Sequence, residues 1–262
     1  MIPLLLLACA AQEKPVRVTV SVDWEGREVT EANLKAMEDF RTALPGVPLT
    51  HFLNAAYLTK QGADGKRIVA SIRRVVRDGD ETGLHIHAWK SLVESSGVKF
   101  RTGPTFWGEE YPLTESNGDI GHEVELEAYT VDEIRAILRR SREWLKDFRI
   151  SGSFRAAGWV AGPRVLEAIR AEGFLTDSSA TDASWHDELR GYALPKRIRE
   201  IWPDVTETSQ PFLVKTPAGS ILEMPDTCAL ADYVTADEMK RHLRAAIQRA
   251  KATDTFVHLG FH

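Results

Sequence analysis

Strand-like and helix-like segments alternate along most of this 262-residue chain. Residues 17–22, 49–53 and 82–86 are rich in β-branched and apolar side chains and have the length of buried strands. Between them, apolar residues recur at helical spacing over residues 30–44 and 68–76. This alternation predicts a parallel α/β architecture, because each connection between parallel strands needs a crossover, usually a helix.

The same alternation continues in the second half of the chain. Residues 130–133 and 235–238 have the sequence of capping boxes and predict two helix starts. Residues 212–224 are typical of a hairpin, and residues 255–261 of a final strand. Residues 89–129 lack periodicity, so we interpret them as a long loop region over one end of the domain, where long loops are often functional.

Composition limits the class of protein. The chain has 43% hydrophobic and 27% charged residues, which is typical of one globular domain with a large core. Its net charge of -5 argues against nucleic acid as the main partner, because proteins that bind nucleic acid usually carry a basic excess. Cys9 and Cys228 are the only cysteines, so a metal would have to be held by histidine and carboxylate side chains.

The first 15 residues resemble a bacterial lipoprotein signal. Residues 6–9 (LLAC) are similar to a lipobox, whose cysteine is lipidated after cleavage, and an apolar run precedes that cysteine. We therefore interpret residues 1–15 as a signal or tether that attaches the protein to a membrane through Cys9, in the cell envelope or as a secreted protein. No basic segment precedes the apolar run, so a buried N-terminal segment of a cytoplasmic protein is the alternative.

Polar side chains gather where the predicted strands end. They are Asp23, Glu25, His85, His87, Arg155, Asp177, His258 and His262. In a parallel barrel the carboxyl ends of the strands meet at one face, where active sites lie. Residues two apart in an extended segment point the same way, so Asp23 and Glu25 can face one cavity, and His85 and His87 can do the same. Two imidazoles and one carboxylate leave open positions on a divalent ion, as catalytic zinc sites require, and Asp23 could then act as a base.

Each of these residues also has an ordinary explanation. A strand-end Asp often forms a turn, and Glu25 before Gly26 fits a solvated turn. Arg155 could be a surface ion-pair partner that contributes little stability. The joint appearance of the polar groups at successive strand ends is what favours a site.

The remaining histidines have weaker signals. His51 ends a predicted strand and could line the cavity or have a hydrogen-bonded structural role. His122, His186 and His242 lie in loop or helix contexts, and we expect them to be exposed. Basic pairs elsewhere in the chain lie in helical patterns and are interpreted as solvated faces.

Five segments resemble the motifs of the polysaccharide deacetylases, in the order in which that family has them. They are SVDWEG at 21–26, GLHIHAW at 83–89, SFRAAGW at 153–159, GFLTDSS at 173–179 and FVHLGFH at 256–262. The resemblance runs from about residue 16 to the end. It implies one catalytic domain over residues 16–262, folded as an irregular (β/α) barrel of about seven strands.

The resemblance also implies roles for single residues and a metal-dependent hydrolysis of an acetamide. The implied roles are Asp23 as base, Glu25, His85 and His87 as metal ligands, Arg155 as the group that orients the base, and His262 or His258 as acid. Asp177 would lie behind the metal histidines, and Trp89, Trp159 and Trp107 could stack on sugar rings, although buried core aromatics are the alternative. The implied cofactor is a divalent metal, with zinc favoured, and the implied partner is an acetylated glycan. We prefer His262 as the acid because it lies where the last strand has fully emerged.

Three features depart from the pattern of the family. Trp24 separates the two acidic residues of the first motif, which are adjacent in many members. The motif histidines are two apart rather than four, so Trp89 stands where a ligand is usual. The family continues beyond its last motif, whereas this sequence ends at His262.

Two other functions remain open from the sequence. One is a carbohydrate-binding or assembly protein that has the barrel without catalysis, which the altered histidine spacing favours. The other is an amidohydrolase of a small non-sugar amide, which the same site chemistry would allow. An open, aromatic-lined groove formed by residues 89–129 would favour a polymer, and a closed lid would favour a small molecule.

Overall fold

The computed structural model describes residues 14–109, 111–189 and 191–262. Within these ranges one sheet contains β1 (Val16–Asp23), β2 (Thr50–Leu53), β3 (Glu81–Ile86), β4 (Ile150–Ala156), β5 (Thr176–Asp177), β6 (Phe212–Thr216), β7 (Gly219–Glu223) and β8 (Thr255–Phe261). The α-helices are α1 (Glu31–Ala43), α2 (Ala56–Thr59), α3 (Gly65–Val75), α4 (Lys90–Ser95), α5 (Val131–Trp144), α6 (Pro163–Ala171), α7 (Leu194–Ile201) and α8 (Ala236–Arg249). Short 3₁₀ helices lie at Leu126–Ala128, Ala157–Trp159 and Ala183–Leu189.

The sheet is parallel apart from one edge. Its strand order is β6-β7-β5-β4-β3-β2-β1-β8, and only the β6–β7 hairpin is antiparallel. Helices cross over between the parallel strands, as parallel pairing requires. The predicted α/β barrel architecture is therefore confirmed. The described residues form eight strands where about seven were predicted, and the antiparallel edge strand β6 brings the number to eight.

The two faces of the sheet carry different side chains, because successive residues of a strand point to opposite faces. In β1, Val20 and Val22 belong to the hydrophobic core that the sheet forms with the helices. Ser21 and Asp23 face the other way and accept hydrogen bonds from Arg155 of β4. The interior of the barrel is therefore polar near the carboxyl ends of its strands.

Both predicted capping boxes are confirmed. The Thr130 side chain accepts from the Glu133 amide at the start of α5, and the Thr235 side chain does the same with Glu238 at the start of α8. In each box the Glu side chain accepts from the backbone N–H of the capping Thr. Helices start at these residues because the caps satisfy amide groups that have no partner within the helix.

Residues 89–129 are more ordered than the predicted loop. They contain α4 and the 3₁₀ helix Leu126–Ala128, and several of their large side chains are buried, including Trp89, Phe106 and Tyr129. Asp119 joins distant parts of the segment, since its carboxylate accepts from the amide and hydroxyl of Ser91. Periodicity missed this order because a helix of six residues is too short to show a repeat.

The prediction that His122, His186 and His242 are exposed is wrong. All three are buried. His242 lies on the inner face of α8, four residues before the buried Ala246, so the helical spacing carried a signal for its burial. His186 is enclosed by the rings of Trp159 and Tyr233, partners that are distant in sequence.

Of the two alternatives for His51, lining the cavity or a hydrogen-bonded structural role, the structure shows the second. Its ring is fully buried, with Nε2 3.4 Å from Asp80 Oδ2 and Nδ1 accepting from Trp24 Nε1 at 3.3 Å. Arg41 is ion-paired with the same carboxylate. Burial raises the pKa of Asp80, but the hydrogen bond with His51, two backbone amides and the charge of Arg41 outweigh burial and lower that pKa to about 2. The network joins α1, β2 and the start of β3.

Cys9 and most of the predicted N-terminal tether lie outside the residues that the structure describes. The boundary between residues 15 and 16, and lipidation at Cys9, stay predictions. Among the described residues, no helix combines the length and apolar character that a membrane span requires.

Candidate active site

A cavity of about 860 Å³ opens at the carboxyl ends of the strands. Its lining includes Asp23, Glu25, His85, His87, His122, Arg155, Trp159 and His262. Asp23 is the last residue of β1, His85 lies in β3, and Arg155 lies in β4. The parallel strands thus bring together side chains from opposite ends of the sequence, as strand ends in an α/β barrel are expected to do.

The Glu25 carboxylate lies at the centre of a group of histidines. Its Oε1 is 3.2 Å from His85 Nε2, and its Oε2 is 2.8 Å from His87 Nε2 and 2.9 Å from His122 Nε2. His262 Nε2 is 3.6 Å from Oε1. Burial raises the pKa of Glu25, but the charge of His87 and the three histidine hydrogen bonds outweigh burial and hold it well below its usual range. Glu25 is therefore an anion that faces imidazole nitrogens.

Backbone carbonyls orient the two motif histidines. His85 Nδ1 donates to the carbonyl of Arg155 at 2.9 Å, and His87 Nδ1 donates to the carbonyl of His122 at 2.7 Å. Because a carbonyl can only accept, Nδ1 carries a proton in both rings, and Nε2 faces Glu25. This second hydrogen bond is what metal-binding histidines usually have.

In the part of the chain that the structure describes, two sets of donor atoms converge closely enough to hold a metal ion. Glu25, His85 and His87 form one set, and Asp23, Glu25 and His262 form the other, with the donor atoms of each set within 4.8 Å of one another. In the first set two imidazole nitrogens point at a carboxylate, which is the donor chemistry of a divalent metal site. In the second set the Arg155 guanidinium lies 2.9 Å from Asp23, and this positive charge disfavours a cation there.

Arg155 is buried and makes hydrogen bonds with all of its nitrogens. Nε and Nη2 donate to the carbonyl and hydroxyl of Ser178, and Nη1 donates to Ser21 Oγ and Asp23 Oδ1, each at 2.8–2.9 Å. Nη2 is also 3.1 Å from His258 Nε2. These contacts fix the guanidinium beside Asp23, so the carboxylate is held in place by a group that only donates.

The structure places His258 and His262 in different surroundings. His258 is buried in β8, where its Nδ1 is 2.7 Å from Asp226 Oδ1 and its Nε2 contacts Arg155. His262 follows β8, lines the cavity and is held by Asp232, which lies 2.8 Å from its Nδ1. Burial lowers the pKa of His262, but the hydrogen bond to Asp232 and the nearby carboxylates outweigh it and raise that pKa to about 9.

The predicted aromatic residues occupy different places. Trp89 is fully buried behind the site, where its Nε1 donates to the Glu25 carbonyl at 2.9 Å and the Lys60 ammonium lies 3.7 Å from its ring centroid. Trp159 lines the cavity and donates to Asp226 at 2.9 Å. Contact of Trp159 with a sugar stays a prediction. Trp89 has the buried position that was its alternative, and it supports Glu25 from behind.

Asp177 is deeply buried in β5, and its Oδ1 accepts from Ser179 at 2.7 Å. Its strand partner in β7 is Glu223, another buried carboxylic acid. Burial is the main reason why the pKa of Asp177 rises to about 6, and burial beside Asp177 raises the pKa of Glu223 well above its usual range. We therefore describe Asp177 and Glu223 as a pair that shares a proton. The carbonyls of Arg155 and His122, and not Asp177, accept from the Nδ1 atoms of the two motif histidines.

His122 is one of the site residues that sequence reasoning missed, as are Asp226 and Asp232, which hold His258 and His262. The sequence did contain a signal, because Trp89 stands where the commoner motif has a ligand and His122 belongs to the polar segment that follows. Its partner Glu25 is 97 residues away in sequence. No pattern within a short stretch of sequence predicts a contact between residues so far apart in the chain.

Comparisons with known proteins agree with the fold. No protein-family model and no curated protein sequence matches the chain. Among solved structures, the chain is similar to a candidate polysaccharide deacetylase from Mycobacterium smegmatis, with a TM-score of 0.53 and 15% identity over 96% of this chain and 78% of the other. It is also similar to a candidate polysaccharide deacetylase involved in O-antigen biosynthesis from Bordetella bronchiseptica (TM-score 0.44, 15% identity, 94% of this chain and 71% of that one). A 4-α-glucanotransferase from Thermococcus litoralis gives a TM-score of 0.46 and 9% identity over 94% of this chain and 33% of its own.

The first of these similarities confirms the fold predicted from the sequence motifs. The chain and the Mycobacterium smegmatis protein share their architecture over nearly the whole of this chain. The resemblance to polysaccharide deacetylases that the motifs indicated is thereby confirmed at the level of the fold.

Proposed function

We propose that this protein is a metal-dependent hydrolase that removes acetyl groups from an N-acetylated or O-acetylated polysaccharide of the cell envelope or the extracellular space. One observation carries the proposal. The metal-type donor set Glu25, His85 and His87 shares a single cavity with the Asp23–Arg155 pair and with His262. A hydrolase of this kind needs a metal site, a base and an acid within reach of one bond.

The metal would be held by Glu25, His85 and His87. Two neutral imidazoles and a carboxylate are the ligands of several catalytic zinc sites, so we propose zinc, although cobalt, nickel, manganese and iron accept the same donors. Such an ion supplies Lewis-acid chemistry for the hydrolysis of an amide or ester. The buried carbonyl partners of both histidines favour the tautomer that binds a metal through Nε2.

Asp23 is the proposed general base. Arg155 occupies its Oδ1 at 2.9 Å, and Oδ2 is free of that contact. The carboxylate would take a proton from the attacking water as the new carbon–oxygen bond forms. Arg155 keeps the carboxylate correctly placed, because it presents fixed donors from the interior of the barrel.

His262 is the proposed general acid. Its Nε2 faces the cavity and its Nδ1 is held by Asp232 at 2.8 Å. The ring would donate its Nε2 proton to the leaving nitrogen or oxygen as the bond to the acetyl carbon breaks. His258 would instead support Arg155 from below, since it is enclosed by Asp226, Ser21 and Arg155.

Aromatic side chains next to the cavity favour a glycan over a small amide. Trp107 lines the cavity, and its ring contacts Tyr111 and Tyr192 at centroid distances of 6.3 and 5.2 Å. Tyr192 is 43% exposed, so part of this aromatic group faces solvent. Exposed aromatic rings with a polar end suit the apolar faces and hydroxyl groups of sugars. A cavity of about 860 Å³ is also large enough for sugar units.

The proposed location depends on Cys9. If that cysteine is lipidated, the enzyme is anchored to a membrane of the cell envelope, close to a polymer substrate. Radiolabelled palmitate supplied to cells that express the full sequence should label the wild type but not Cys9→Ser. Equal labelling of both proteins would remove the lipoprotein part of the proposal and leave the chemistry unaffected.

Acetate release from N-acetylglucosamine oligomers tests the activity. The purified protein should release acetate with added zinc and lose this activity after treatment with a chelator. Asp23→Asn should bind the metal yet lose activity by about 10²- to 10⁴-fold, because it lacks a base. Asp237→Asn, at an aspartate whose side chain is 93% exposed, is the matched control.

Two results would overturn the proposal. Metal binding without acetate release from any acetylated glycan would favour a carbohydrate-binding protein if the oligomers bind. It would favour a small-amide hydrolase if only short acetamides react. Full activity of Asp23→Asn would remove Asp23 as the base.

A further inference from the structure

We propose that His122 is a positioning residue that holds two of the metal ligands at once, Glu25 through its side chain and His87 through its backbone. The inference rests on the metal site of the proposed function and adds a residue from the long segment between β3 and α5. His122 is 6% exposed and lies against the site. It belongs to neither of the convergent donor sets.

The contacts of the His122 ring determine which of its nitrogens carries the proton. Its Nε2 is 2.9 Å from Glu25 Oε2, and its Nδ1 is 3.5 Å from Arg27 Nη2. Because a guanidinium only donates, Nδ1 acts as the acceptor and the proton lies on Nε2. His122 therefore donates to the carboxylate of Glu25. A nitrogen that carries this proton cannot also bind a metal.

His122 also orients the ring of His87. The carbonyl of His122 accepts from His87 Nδ1 at 2.7 Å, and the two rings stack with centroids 3.9 Å apart and planes 10° from parallel. The backbone contact sets the tautomer of His87, and the stacked ring limits its rotation. One residue therefore fixes the orientation of a histidine ligand and of a carboxylate ligand.

The residues that precede His122 hold it in place. The preceding Gly121 has φ of +95°, and a Cβ built there would lie 2.5 Å from the Phe100 ring and 2.8 Å from the Ala88 carbonyl. The carbonyl of Ile120 accepts from the amide of Lys90 at 2.8 Å. The segment is thus packed tightly against the residues that follow β3, so His122 has little freedom to move away from the site.

Arg27 is fixed by the same segment. Its carbonyl accepts from Asn117 Nδ2 at 2.8 Å and from Lys60 Nζ at 3.2 Å. The residue that sets the His122 tautomer is therefore tied to the loop that carries His122. This arrangement places Arg27, His122 and Glu25 in one connected chain of hydrogen bonds.

Metal affinity and the spectrum of the bound metal together test the inference. The metal-free protein is titrated with Zn²⁺ against a chromophoric chelator, and with Co²⁺ while the visible absorption spectrum is recorded. His122→Phe keeps a ring but loses the donor, and we expect its Zn²⁺ affinity to fall about 10- to 100-fold. His122→Gln keeps a donor at the position of Nε2, and we expect it to regain most of the affinity. The Co²⁺ spectrum of His122→Gln should match that of the wild type, because the ligands are unchanged.

Controls separate this role from ligation and from misfolding. His85→Ala is the reference for a lost ligand and should change the Co²⁺ spectrum, and His242→Gln is the control for replacing a buried histidine away from the site. Circular dichroism melting of each metal-free variant reports folding. A changed spectrum in His122→Gln would make His122 a ligand, and unchanged affinity in a folded His122→Phe would show that its side chain does not position Glu25. Either result overturns the inference and leaves the proposed function standing, whereas a wild type that binds neither ion overturns both.

Discussion

Arg155 Nη1 lies 2.9 Å from Asp23 Oδ1, and both side chains are at most 3% exposed. The pair joins β1 to β4 across the interior of the barrel, with β2 and β3 between them in the sheet. A charge this deeply buried depends on its partner, because removing one member leaves the other without compensation. The Arg155–Asp23 ion pair, which would hold the proposed base Asp23 in position, therefore also contributes to the stability of the fold.

The first prediction follows from this pair. Arg155→Leu should lower the free energy of unfolding by about 3–5 kcal/mol, because Asp23 is left buried and unpaired. The double variant Arg155→Leu/Asp23→Leu should recover part of that loss, because neither charge remains. Urea unfolding followed by circular dichroism measures both. A loss below about 1 kcal/mol in the single variant would contradict the prediction.

The second prediction distinguishes the two histidines of the last motif. His262→Gln should lower kcat by about 10²- to 10⁴-fold, because the proposed acid is lost. His258→Gln should instead lower the free energy of unfolding by about 1–3 kcal/mol, because Asp226 and Arg155 lose a buried partner. Acetate release and urea unfolding are measured on both variants. The assignment is wrong if His258→Gln loses the larger share of kcat while its stability is unchanged.

The third prediction concerns pH and the buried acids Asp177 and Glu223. The pKa values of both are raised in the folded protein, so the folded pair binds a proton that the unfolded chain releases above about pH 4. The resulting stabilisation is complete below that pH. The part due to Asp177 is lost as the pH rises through about 6, and the part due to Glu223 is lost as the pH rises through its own raised pKa. Glu223→Gln, which keeps a similar shape without a second acid, should show a weaker dependence.

Urea unfolding at pH 4, 5, 6 and 7 measures this effect. Between pH 4 and pH 7 the wild type should lose more of its free energy of unfolding than Glu223→Gln, because only the wild type must ionise a second buried acid beside Asp177. Glu127→Gln is a useful comparison, since the pKa of Glu127 is also raised by burial but this residue lies outside the pair. Parallel curves for the wild type and Glu223→Gln would mean that the pair does not share a proton.

The fourth prediction concerns Gly121. Gly121→Ala should lower the free energy of unfolding by about 1–3 kcal/mol, because the new Cβ meets Phe100 and a backbone oxygen in a left-handed conformation. Its Zn²⁺ affinity should also fall, because His122 follows directly. Gly118→Ala is the matched control, since Gly118 also has a positive φ, +75°, but a Cβ there meets nothing within 4 Å. Equal effects of the two substitutions on metal affinity would contradict the predicted coupling between Gly121 and the site.

Patterns within short stretches of sequence were enough to predict the α/β architecture and the main polar side chains of the candidate site. Strand-end positions predicted that Asp23, His85 and Arg155 would share one site, because parallel strands end at the same face. The capping boxes at Thr130 and Thr235 predicted two helix starts for a reason that is equally local, since the cap and its partner are three residues apart. These predictions were confirmed because residues that are close in sequence determine the features.

Contacts between distant residues were decided only by the tertiary structure. His258 and His262 are four apart in an extended segment, so the period of the strand places them on one face and cannot distinguish them. Packing buries His258 between Asp226 and Arg155 and leaves His262 at the cavity. Tertiary packing also brings His122 into contact with Glu25. The chain must first fold before residues 97 positions apart can form a hydrogen bond, and no repeat or spacing in the sequence encodes that distance.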